Sequence, residues 1–169
     1  ALYWLYQNKD KSVSDYFNAL QHLARKFIFQ RYLNEKQIDY FDLIYGNQTI
    51  DDFKIDQSKL SFGNIENNFV FNYLDFLIYC DAENSNDKVI KNFKFTQRSS
   101  VEHFYAQQIE GERDESDHEN LHRFGNLCLI SSSKNSSIGN RLPSAKRDYF
   151  MPEIRKGKID TLKLYLMIQ

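Results

Sequence analysis

Gly125-Asn126-Leu127-Cys128-Leu129-Ile130 is followed directly by Ser131-Ser132-Ser133-Lys134-Asn135-Ser136-Ser137. The first run, with the Ser131 that follows it, reads as a short apolar strand entered through a glycine. The second reads as the start of a helix, because serine side chains accept the free N–H groups of a first turn. Gly139 and Pro143 break that helix. Upstream, Ser100 to Tyr105 alternates, with Val101, His103 and Tyr105 on one side, as a strand does. Strand, strand and helix therefore follow in order. Glu102-His103, Asn126 and Asn135 fall where they would meet.

The flanks read as helix. From Ser14 to Leu33 the set Tyr16, Leu20, Leu23, Phe27 recurs at helical spacing, with Ser12 or Ser14 as cap. Asn67 to Cys80 is expected as a second helix, with Phe69, Tyr73, Leu74, Leu77 and Cys80 facing inward. A short helix is expected near Gln37 to Tyr45, and closing helices over Lys146 to Phe150 and Ile159 to Ile168. Phe93-Lys94-Phe95 alternates, and Asp81 to Asp87 is a turn cluster. The expectation is an α+β fold: a helical lead-in over 1–92, a small mixed core over 93–150, and a C-terminal helix over 151–169 packed on the same domain.

Composition sets outer limits. The 169 residues are 41% hydrophobic and 27% charged, which is globular and not disordered. A net charge of −1 excludes a protein held to nucleic acid by bulk charge, though not one with a local basic stripe. Two cysteines, Cys80 and Cys128, exclude a disulfide framework and a four-cysteine zinc site, and point to a reducing compartment, the cytoplasm. No apolar run approaches ~18 residues, so no membrane partner is expected. The opening Ala1-Leu2-Tyr3-Trp4 carries no initiator Met and no signal peptide, and reads as a piece of a longer polypeptide whose N-terminal domain would be a partner. Locally, Glu110 to Glu119 holds six acids and one arginine, whereas Lys134 to Lys163 holds eight basic residues against three acids.

Three ordered blocks carry a family resemblance. Val101-Glu102-His103-Phe104-Tyr105-Ala106-Gln107 resembles the Ile-Glu-His-Ile-x-Pro-Gln motif of the HNH-like C-terminal domain of GmrSD-type restriction proteins, with Ala106 in place of Pro. His122-Arg123-Phe124-Gly125-Asn126-Leu127-Cys128-Leu129-Ile130 resembles the same domain's Arg-x-Gly-Asn-Leu-x-Leu-Leu block, and Asn135 to Asn140 its Asn-Ser-x-x-Ser-Asn. Lys146 falls where the family has a lysine.

The resemblance implies a ββα-metal, or His-Me finger, unit and a metal-dependent endonuclease hydrolysing DNA in a bacterial restriction or phage-defence protein. It implies His103 as general base, since imidazole titrates near neutral pH. It implies Asn126 as the residue that holds the His-bearing loop or orients the imidazole. Glu102 and Asn135 would be oxygen ligands of a divalent cation, Mg²⁺ or else Mn²⁺, hard ions that prefer oxygen. The implied partner is DNA, with or without modified bases.

Each residue also has a plainer reading. His103 on a strand is commonly a hydrogen-bonded interior histidine, and Glu102 a solvated or ion-paired strand residue. On a regular strand the two neighbours point to opposite faces, so both serve one site only if the strand ends or bends there. Asn126 and Asn140 could be turn residues, and Asn135 could cap its own helix. His118 and His122, four apart, with Cys128 suggest zinc, but a solvated pair in an acidic loop is the favoured reading. Lys134, Asn140, Arg141, Lys146 and Arg147 follow the expected metal helix and are expected to meet a phosphate backbone. The alternative function is a binding module of the same fold that no longer cuts.

Overall fold

A computed structural model describes residues 1–46, 53–82, 86–107 and 118–169, with the side chains of His118 and Glu119 excepted. The acidic run, most of which is 110–117, and the centre of the 81–87 turn cluster lie outside the described residues. The chain divides into two compact units: 1–60 with 64–67, and 61–63 with 68–169.

The first unit is helical. After α1 (Leu2–Gln7) comes α2 (Val13–Lys26), started by a reciprocal cap: Ser12 Oγ accepts the Asp15 N–H, and the Asp15 carboxylate accepts the Ser12 N–H. The expected single helix to Leu33 instead changes to a wider π-helical turn over Phe27–Tyr32, which buries Ile28, Gln30 and Tyr32. Then α3 (Tyr40–Tyr45) begins at Asp39, whose carboxylate accepts the Asp42 N–H.

The second unit is mixed helix and sheet. Its elements are α4 (Phe69–Asp81), α5 (Lys88–Lys91), β1 (Ser100–His103), α6 (His118–Leu121), β2 (Leu127–Ile130), α7 (Ser132–Ile138), α8 (Pro143–Ile154) and α9 (Leu162–Ile168). Among the described residues β1 and β2 form the whole sheet, antiparallel, pairing Ser100 with Ile130, Val101 with Leu129, Glu102 with Cys128 and His103 with Leu127. The alternation at Phe93-Lys94-Phe95 produces no strand. Gly139, at φ +55°, ends α7 in a backbone conformation costly to other residues, and Pro143 opens α8 at its first turn.

β2 is wholly buried. Cys128 and Ile130 pack with Ile138 of α7, Phe150 of α8, and Leu164 and Ile168 of α9. The buried positions of α4 are Val70, Phe71 and Asp75, and it packs on α9. The expected inward face is corrected: Leu77 and Cys80 are exposed. Asp75, which interrupts the apolar run, lies on the buried face instead. Its Oδ1 accepts the Lys163 N–H at 2.8 Å and so serves the open first turn of α9 together with Thr161. Asp160 does the same before α7, accepting the Ser131 N–H at 2.8 Å. These caps fix the sheet against its helices, and with them the end of β1.

Candidate active site

His103 is the last residue of β1. Its regular pairing with Leu127 puts its side chain on the face opposite Glu102. His103 as a residue is 7% exposed. Its Nε2 lies 3.2 Å from Nδ1 of His122, and Gln107 Nε2 is 3.5 Å from that same Nδ1. Phe62 covers both rings, edge-on to His103 at 4.5 Å and stacked on His122 at 5.8 Å. Burial, then the neighbouring His122 and Lys146, lower the His103 pKa to about 4. The ring is therefore neutral at pH 7, with a lone pair able to take a proton.

Asn126 holds the loop that follows His103. Its Oδ1 accepts the Tyr105 N–H at 2.8 Å, while its Nδ2 donates to Tyr105 O at 3.0 Å and to Leu121 O at 2.9 Å. The Asn126 backbone carbonyl accepts the Phe104 N–H at 2.8 Å. Both edges of one amide are thus used to join the segments on either side of the strand pair. Asn126 acts on the loop backbone and has no bond to the imidazole. Ala106, in the position of the family's proline, is buried in that loop.

The other face of β1 is a separate environment. The Glu102 carboxylate accepts a hydrogen bond from Lys146 Nζ, which also donates to His103 O at 2.5 Å. The Lys146 side chain is 1% exposed and that of Glu102 13%. Asn135 donates from Nδ2 to Ser100 Oγ at 2.7 Å. Ser100 is three residues along β1 from His103, about 10 Å at strand rise. The structure brings Glu102 to Lys146 and Asn135 to Ser100, and does not bring either side chain to the His103 ring.

That placement bears on the implied cation. A hard divalent ion needs several oxygens with negative charge among them. Here the carboxylate is spent on an ammonium, and Asn135 is tied to the far end of the strand. Among the described residues no group of three or more His, Cys, Asp or Glu side chains is arranged to hold a metal. The residues as placed do not fit the implied ion. The zinc reading fares no better: Cys128 shares the Glu102 face, His122 stands at His103, and burial pushes the Cys128 thiol up to about 12.

The expected phosphate contacts divide in two. Asn140, Arg141 and Arg147 are exposed, and Arg147 Nε also donates to Ile168 O. Lys146 is sealed, and Lys134 is held by Glu153 at 2.5 Å and Asp160 at 2.6 Å. Neither ammonium is free to meet a phosphate in this arrangement, which corrects the expectation for both. The sequence reading did not find Phe62 as the cover of His103, nor His122 as its neighbour. Their separation along the chain hid them, although His122 stands beside the Gly-Asn-Leu block and Gln107 ends the His motif.

The model of the family described as GmrSD restriction endonucleases, C-terminal domain, matches residues 47–164. Neither the curated proteins nor the solved structures supplied a match.

Proposed function

This chain belongs to the family of GmrSD restriction endonuclease C-terminal domains, and from that premise we propose that it hydrolyses DNA phosphodiester bonds with His103 as general base. The observation that supports this is a neutral imidazole at a strand end, carried on a loop that Asn126 ties at Tyr105 and Leu121. The order β1, β2, α7 supports reading the unit as a ββα nuclease core.

In this mechanism the imidazole takes a proton from water. The O–H bond breaks, an N–H bond forms, and the water oxygen's electron pair makes a new P–O bond as the opposite P–O bond breaks, its departing oxygen taking a proton from solvent. Holding the base in place before the reaction is what Asn126 contributes. Arg141 and Arg147, exposed beyond α7, would lie along the phosphates. The cytoplasm is the compartment proposed, with another domain of the polypeptide as partner.

Mg²⁺ or Mn²⁺ enters this proposal through the family alone. No step is assigned to the ion, since Glu102 would have to leave Lys146 to bind it. That same spent carboxylate favours a second reading, a module that binds DNA without cutting. The test is supercoiled plasmid incubated with the chain in Mg²⁺, in Mn²⁺ and in EDTA, with binding followed alongside. Nicking in any of the three supports the nuclease. Binding in EDTA with no nicking under either ion supports the binding module.

A further inference from the structure

We propose that His122 is the positioning residue that sets the tautomer of His103, accepting its Nε2–H and leaving Nδ1 of His103 bare as the proton acceptor. The inference rests on the reading of His103 as general base and names the residue that orients it.

Two ring nitrogens that meet at 3.2 Å share one proton, and only one of them can be the donor. Gln107 decides which. Its amide nitrogen, a donor only, lies 3.5 Å from the same Nδ1 of His122. A proton on that Nδ1 would face the amide donor head-on. With Nδ1 bare, the His103 Nε2–H and the Gln107 N–H converge on one lone pair. Both histidines then carry their proton on Nε2, the tautomer a neutral histidine side chain ordinarily prefers. The tautomer of one ring nitrogen is fixed by the bond the other makes.

The packing holds this arrangement. The two rings meet at 77°, with centroids 5.3 Å apart. Phe62 lies against both rings, and its N–H donates to His122 O at 2.8 Å. Among the described residues Nδ1 of His103 has no hydrogen-bond partner, and Nε2 is the ring nitrogen engaged with His122. When Nδ1 takes a proton from water, the ring becomes imidazolium and its Nε2–H a stronger donor. The bond to His122 then strengthens as charge develops, which is where a positioning contact helps the rate. The pair has the base-and-orienter logic of a triad, with a neutral acceptor in place of a carboxylate.

The test uses the whole chain labelled with ¹⁵N-histidine. Long-range proton–nitrogen correlation at pH 7 reads which ring nitrogen of His103 carries hydrogen, whether or not DNA is cut. Wild type is expected to show Nε2–H. His122→Asn, whose amide oxygen can stand where Nδ1 stood, is expected to keep it. His122→Phe preserves a ring against Phe62 but offers no acceptor, and is expected to give a tautomer mixture. Nicking by His122→Phe should fall roughly 10- to 100-fold in kcat with KM little changed, and recover in His122→Asn. A proton on Nδ1 in wild type, or an unchanged tautomer in His122→Phe, overturns the assignment. Equal nicking by wild type and His103→Ala would remove the base reading, and with it the catalytic half of the proposal.

Discussion

Replacing Lys146 with Met removes a buried charge and keeps a chain of similar length. The ammonium, 1% exposed, is shared by the Glu102 carboxylate and the His103 carbonyl. Lys146→Met would strand a carboxylate whose side chain is 13% exposed. An uncompensated buried charge costs about 3–5 kcal/mol. Domains of this size are stable by about 5–15 kcal/mol in all. The variant should therefore lose at least about a fifth of its stability. Taking about 2 kcal/mol per molar for the urea dependence, the midpoint should fall by about 2 M.

Adding Glu102→Leu removes the stranded charge, and a buried pair replaced by apolar groups is commonly neutral or stabilising. The double variant should return to within about 1 kcal/mol of wild type, or exceed it. Far-UV circular dichroism during urea titration of wild type, both singles and the double completes the cycle. A Lys146→Met variant within about 1 kcal/mol of wild type would refute the reasoning. So would a double variant as unstable as the worse single.

Asn126→Ala removes three side-chain hydrogen bonds, and at about 1 kcal/mol each the loss should be about 2–4 kcal/mol, read by thermal melting. Asn126→Asp should be no better, because it sets a carboxylate oxygen against two carbonyls. Asp75 has its pKa raised to about 6, chiefly by burial, and His103 has its own lowered to about 4. The folded state holds the Asp75 proton more tightly than the unfolded chain, so Asp75 adds stability as pH falls from about 6 to 4. His103 resists protonation when folded and subtracts stability as pH falls from about 6.5 to 4. The two nearly cancel, and Asp75→Asn should expose an acid loss of about 3 kcal/mol between those limits in urea titrations at stepped pH. Replacing Arg141 and Arg147 together with Ala should reduce the slope of log binding against log salt by roughly 2, measured by fluorescence anisotropy on a DNA duplex, whereas Lys134→Ala should leave it unchanged.

Much of the second unit was legible because its signals are local. Apolar Leu127 to Ile130, the serines before α7 and the alternation around Val101 each act over a few residues. The loop-holding part of Asn126 was implied by the family resemblance alone, since its place before a strand reads equally as a turn residue. What failed was long-range. Lys146 and Lys134 sit in a basic run that looks solvated in one dimension, yet each meets a carboxylate far along the chain, at Glu102 and at Asp160. The strand register separates Glu102 from His103 by pleat alone, and the sequence left that point open. The inner face of α4 was misread because apolar side chains occur all round it. Its buried acid, Asp75, was the informative residue, placed to serve the first turn of α9.

The central claim is that the His103 imidazole removes the proton from the attacking water. The most direct measurement is the initial rate of plasmid nicking by wild type and by His103→Ala, at equal protein and equal DNA binding. The rate for His103→Ala should fall by roughly 10²- to 10⁴-fold, the range of a positioned general base. Nicking at the wild-type rate by His103→Ala would contradict it.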